Sequence, residues 1–140
     1  MPGKAESAPA GDHWYDYAVL RVVPHVEREE FVNVGVILFA RTLRYLGVRI
    51  ELDEARLRAL WPSLDIAFVN EHLRSYEAVV AGEAGAGPIA ALSQSERFHW
   101  LTSPRSTIIQ TSPVHVGRCS DPERAVEELM DELVRPPKPA

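Results

Sequence analysis

Two apolar runs, EFVNVGVILFA at 30–40 and RYLGVRIEL at 44–52, are separated only by Arg41, Thr42 and Leu43. Short runs rich in Val, Ile, Leu and aromatic residues read as strands, and a three-residue gap leaves no room for a crossover. The pair is therefore an antiparallel hairpin. Its register can be worked out on paper. Phe39 pairs with Tyr45, Ile37 with Gly47, Gly35 with Arg49 and Asn33 with Glu51. The other face then sets Val34 against Ile50, Val36 against Val48 and Leu38 against Leu46, and is wholly apolar. A one-residue slip would move each of these side chains to the opposite face. On this register Asn33 and Gly35, both poor strand formers, sit on a mixed, solvated second face with Arg21, Arg49 and Glu51 as neighbours.

The remaining elements follow from periodicity and punctuation. DYAVLRVVP at 16–24 is a first strand, ended by Pro24. Asp53 caps a short helix that presents Leu57, Leu60 and Trp61 inward and stops at Pro62. A longer helix covers about 64–82, with Ile66, Val69, Leu73, Tyr76 and Val80 as one apolar stripe. GEAGAGP at 82–88 is a flexible link. RFHWL, STIIQTS and PVHVG read as strand-like pieces, made irregular or edge-bound by Pro104 and Pro113. The last helix opens at SDPE, with Ser120 or Asp121 as cap. It buries Val126, Leu129, Met130 and Leu133 behind a solvated face of Glu123, Glu127, Glu128, Asp131 and Glu132. Residues 1–12 and the proline-rich tail 135–140 have little to bury and are expected to be loose, leaving one domain over 13–134. The class is α+β: an antiparallel sheet of about four to five strands with helices packed mainly on one face.

Composition narrows the function classes. With 46% apolar and 25% charged residues, 140 residues make one globular domain with a real core. A net charge of -5 speaks against nucleic acid as a partner, short of a local basic stripe. The N-terminus has no apolar signal core, and no run approaches the roughly 18 apolar residues of a membrane span. The lone Cys119 forms no internal disulfide and suits a reducing compartment, so a cytoplasmic location is expected.

YAVLRVVPHVEREEFVNVGVILFA, together with SPRSTIIQTSPVHVGRCSDPE, resembles the bacterial family known as domain of unknown function 3037 over about residues 15–134. The resemblance implies no catalytic residues. It does imply a possible partner, since members lie near genes for HipA-like kinase proteins. Glu30, Asn33, Gly35, Arg105, Ser106, His115 and Gly117 occupy the matching stretches.

Each candidate group has a sharp and a plain reading. Glu30 and Asn33 could bind a polar ligand at the mouth of a strand, or Glu30 ends a charged turn while Asn33 satisfies a backbone group. Gly35 could admit a ligand, mark a bulge or lie under an aromatic ring; a bulge or a covered glycine is favoured. Arg105, with Ser103, Ser106 and Thr107 and with Arg97 nearby, is the best anion-binding candidate, against a turn arginine paired to the acidic last helix. His115 could be a general base or a structural histidine among valines. The five histidines are scattered, Cys119 has no CxxC partner, and no phosphate-cradling loop occurs, so no metal or cofactor is expected. Trp14, Trp61 and Trp100 read as core or core-edge anchors.

With no triad, metal set or cofactor loop, the leading expectation is a non-enzymatic accessory or regulatory protein. It would act through protein contacts, with a HipA-like kinase as the partner that the resemblance implies. The alternative is a small enzyme or binding protein for an anionic, phosphate-bearing ligand. Its cleft would be built by Arg21, Asn33, Arg49, Arg97, Arg105, Ser106 and His115.

Overall fold

The computed structural model describes residues 12–139. The N-terminal segment expected to be loose lies, apart from Asp12, outside the described residues, as does Ala140. The strands are β1 (His13–Val22), β2 (Val32–Ala40), β3 (Tyr45–Ile50), β4 (Ile109–Thr111) and β5 (His115–Cys119). They form one antiparallel sheet in the order β3-β2-β1, with β4 and β5 dividing the far edge of β1 between them. The helices are α1 (Glu54–Leu60), α2 (Ile66–Ala81), α3 (Gln94–Leu101) and α4 (Pro122–Leu133). The α+β class is as expected.

The hairpin forms, but in a register one residue away from the expected one. Gly35 faces Ile50, Val36 faces Arg49, Ile37 faces Val48, Leu38 faces Gly47, Phe39 faces Leu46 and Ala40 faces Tyr45. Both sides of β2 are apolar and both are covered, so polarity along that strand could not select the register. Ile37 and Phe39 pack with Leu20, Leu57, Leu73, Phe98 and Leu101 under α1, α2 and α3. Val36, Leu38 and Ala40 pack with Val19, Val126, Leu129 and Met130 under α4. The second face, expected to be solvated, is instead the floor of the last helix.

A bulge reconciles this register with the positions of the polar residues. Along β1 and β2, Leu20 faces Gly35 while the next residue, Arg21, faces Asn33, so Val34 is the extra residue. The bulge reverses which face odd-numbered residues of β2 occupy. Val32 and Val34 join Ile37 and Phe39 in the larger core. Asn33 turns to the α4 side. Gly35 is the hinge of this arrangement: a Cβ there would lie 2.6 Å from the Arg49 carbonyl oxygen.

Helices α1 and α4 start at caps expected from the sequence, and α2 at a further aspartate. Asp53 accepts from Arg56 N–H, Asp65 from Phe68 N–H, and Asp121 from the N–H groups of Glu123 and Arg124 with Pro122 in the first turn. The stripe Ile66, Val69, Leu73, Tyr76, Val80 is buried, joined by Val79. RFHWL corrects the reading: it is the second half of α3, not a strand. A capping box between Ser93 and Glu96 starts that helix, and Phe98 and Leu101, one turn apart, face the core. Of the three tryptophans, Trp61 is buried, whereas Trp14 and Trp100 are 64% and 39% exposed, so Trp14 is no core anchor.

Candidate functional site

The sequence-predicted residues fall into four places. On the α4 face, Arg21, Asn33 and Arg49 share one layer, which the bulge makes possible. Asn33 donates its amide to the carbonyl of Leu133 at 3.0 Å. Arg49 pairs with Glu127. Glu51, one step past β3, grips Arg135, which also reaches Asp131 and Glu127. Tyr45 donates to Glu123 at 2.7 Å. Much of the acidic face of α4, expected to be solvated, is therefore pinned to the sheet. Arg135, placed at the head of a loose tail by sequence, is tied to three carboxylates.

At the end of that layer, Arg21 stands apart. Its guanidinium lies 4.0 Å over the Phe31 ring. Its Nε and the Asn33 Oδ1 are both buried without a hydrogen-bond partner among the described residues. Burial lowers its affinity for the proton. Glu30 pairs locally with Arg28 at 2.7 Å and does not join this cluster. The plain readings of Glu30 as the end of a charged turn and of Asn33 as a backbone partner both match these contacts.

On the opposite side of the molecule, Arg97 serves α2. Its Nη1 donates to the carbonyls of Val79 and Val80, and its Nε to Leu92, so its donors stitch helix ends together. Arg105 follows α3. It donates through Nη1 to the Tyr76 hydroxyl at 2.9 Å and through Nη2 to the Trp100 carbonyl. Its guanidinium lies 4.5 Å from the Trp100 ring centroid and 5.6 Å from that of Tyr76. It makes no pair with α4, contrary to the turn-arginine reading, and Ser106 beside it is exposed. Beside Tyr76 and Trp100 opens a cavity of about 350 Å³ with walls from Ala78, Val79, Pro88 and Ile89.

The fourth place is the sheet edge. His115 sits at the start of β5 opposite Tyr17, their rings 5.5 Å apart, and is exposed. β4 and β5 amount to one edge strand broken at Pro113. There the buried Ser112 turns in: its Oγ accepts from Val19 N–H at 2.8 Å and its N–H donates to Val19 O at 2.9 Å. Beyond the break, Val114 and Val116 are exposed, and so is Trp14 on the neighbouring strand. Cys119 closes β5, and burial, followed by the charges of Asp121, Asp12 and Glu128, pushes its thiol up.

The nine candidates therefore do not meet. Arg21, Asn33, Gly35 and Arg49 belong to the α4 layer or its hinge. Arg97, Arg105 and Ser106 lie on the α2–α3 side, His115 on the edge, and Glu30 in a turn. Among the described residues, His, Cys, Asp and Glu form no group of three that could hold a metal ion, and no helix is long and apolar enough to cross a membrane. Two features escaped the sequence reading: the apolar edge of Trp14 and Val116, and the cavity beside Tyr76 and Trp100. The first had a signal in alternating valines beside Pro113. The second draws on residues 75 to 100 and had none in any one stretch.

A family model described as "Protein of unknown function (DUF3037)" matches residues 17–134, most of the chain. No curated protein and no solved structure matches the chain.

Proposed function

We propose, for a chain that belongs to the DUF3037 family, an accessory or regulatory role exercised through contact with another protein rather than through catalysis. The outer edge of β5 carries this reading. One side of the strand pairs with β1, and no strand among the described residues pairs with the other. Trp14 and Val116, on the same face of the sheet by their register, are 64% and 65% exposed, with Val114 exposed just before the strand. Unpaired backbone beside apolar side chains is a template for an incoming strand, and sheet edges of this kind are a recurrent mode of peptide recognition. Pro113 guards the head of the edge. Arg118, which would otherwise guard its middle, lies 5.0 Å over the Trp14 ring.

The occupant is an extended segment of a partner polypeptide. Two copies of this chain, each with a net charge of -5, repel, which favours a foreign segment over self-pairing. A HipA-like kinase is the first candidate, on the strength of family resemblance alone. Co-expression followed by size-exclusion chromatography tests both parts. A joint peak is expected with the wild-type chain and is expected to vanish with Val116→Lys or Trp14→Ser, both at exposed positions. A complex that survives both changes removes the edge from the proposal. Absence of any joint peak removes the kinase, and a dimer of the chain alone makes the occupant a second copy.

The alternative, a phosphate-bearing ligand, needs the arginines in one cleft, and they are separately engaged. One observation still favours an anion: among the described residues, Arg105 has no carboxylate partner.

A further inference from the structure

The cavity between the second half of α2, the 86–88 loop and the end of α3 combines three properties. Its volume is about 350 Å³, within the range of small-ligand sites. A cavity of roughly 150 Å³ is enough for benzene, so this one has room for a bicyclic ring or a ring with a short chain. Its walls are almost entirely apolar, from Ala78, Val79, Pro88 and Ile89, with the aromatic faces of Tyr76 and Trp100 at one end.

The second property is a guanidinium with donors to spare. Of the five N–H groups of an arginine, Arg105 commits one to the Tyr76 hydroxyl and one to the Trp100 carbonyl. Arg135, by comparison, is engaged by three carboxylates, and Arg97 commits three of its donors to backbone carbonyls. The third property is the Tyr76 hydroxyl. It accepts from Arg105 and gives its own hydrogen to no acceptor among the described residues. Burial holds its proton on more firmly than the nearby cation loosens it, so it remains a donor at neutral pH. The neighbouring hydroxyls are not available: Ser75 donates to Glu71, and Thr102 and Ser103 cap the end of α3.

We propose that this cavity binds a small organic carboxylate with an aromatic body, the ring lying between the apolar walls and Trp100 and the carboxylate taken by Arg105 and Tyr76. A planar fork beside a phenol matches a carboxylate, whose two oxygens accept in one plane. Arg105 is not part of the cavity wall but adjoins its Tyr76–Trp100 end, where it offers one cation, enough for the single charge of a carboxylate and not for the two of a phosphate. The site is independent of the β5 edge and of the protein-contact role.

The probe is 2-naphthoate, titrated into the full chain by calorimetry, with 2-naphthylmethanol and inorganic phosphate as comparisons. Saturable binding of 2-naphthoate is expected, at least about tenfold tighter than the uncharged alcohol, with no competition from phosphate. Arg105→Gln is expected to weaken 2-naphthoate by about tenfold or more while leaving the alcohol unchanged. Ala78→Phe, which fills the cavity from its rim, is expected to abolish both. If Arg105→Gln fails to fold, Ala78→Phe and the alcohol comparison still decide the matter. No saturable binding, equal binding of acid and alcohol, or displacement by phosphate would each overturn the proposal.

Discussion

Asn33 and Leu133, 100 residues apart in the chain, are joined by a hydrogen bond of 3.0 Å from the side-chain amide to the main-chain carbonyl. The bond ties the bulged start of β2 to the last turn of α4, where helix carbonyls have no partner within the helix. Asn33→Ala removes the donor and leaves a partly buried carbonyl unpaired. A loss of about 1–2 kcal/mol is expected. Urea denaturation checks it: the midpoint falls and the slope stays as in wild type.

The glycine next to that bulge is sterically obligatory. A Cβ at Gly35 would come 2.6 Å from the Arg49 main-chain oxygen and 3.1 Å from the Ile50 side chain. The first contact is with backbone in the middle of a paired strand, which moves only if β3 shifts. Gly35→Ala is therefore expected to cost about 1–3 kcal/mol despite the better intrinsic propensity of alanine. Thermal denaturation followed by circular dichroism reads the change. An unaltered melting temperature would mean that the bulge is not built this way.

That glycine also shows how far the residues speak for the fold. Helices α2 and α4 were legible because each has one apolar stripe in step with its burial; α1 was legible from its Asp53 cap and Pro62 stop, although Leu60, expected inward, is exposed. The β2–β3 register was not legible, because β2 is buried on both faces and offers no alternation to align. The placement of Asn33 with Arg49 nevertheless agrees with the structure, since the bulge at Val34 offsets the one-residue error. Helix α3 was missed although Ser93 and Glu96 spell a capping box; the short stretch RFHWL, rich in aromatics, resembled a strand more than an amphipathic turn. Of the cavity beside α2, Tyr76 and Trp100 were read only as core or core-edge residues and Arg105 beside them as an anion candidate, since the walls come together through tertiary packing alone.

Glu51 and Arg135 make the attachment of α4 sensitive to acid. The hydrogen bond from Arg135 holds the Glu51 carboxyl below its ordinary value of 4.5. A carboxyl depressed in the folded state contributes stability that is complete above its unfolded value. That stability is lost as pH falls through the folded one. Glu51 is 46% exposed, so solvent screens the effect and it is small. Arg135→Met is expected to lower the melting temperature at pH 7 and to have progressively less effect as pH drops below 4.5. Melting curves of both proteins across the acid range check this; a gap that stays constant to pH 3 would assign the loss to packing of the arginine stem.

Cys119 is expected to be a slow nucleophile. Burial is the main cause of its raised thiol value, and the nearby carboxylates of Asp121, Asp12 and Glu128 add to it. The thiolate is the reactive form, so a raised value leaves less of it at any pH below the midpoint. His115 lies on the same strand four residues earlier, stacked on Tyr17 rather than beside the sulfur. Alkylation by iodoacetamide at pH 8 should therefore run several-fold slower in the folded chain than in urea. Asp121→Asn should accelerate it, by removing the larger of the two aspartate charges that act on the thiol. The same substitution keeps an oxygen to cap α4, so the helix persists and the change in rate reports charge. A folded-state rate equal to that in urea would show instead that the thiol is as free as in an unstructured peptide.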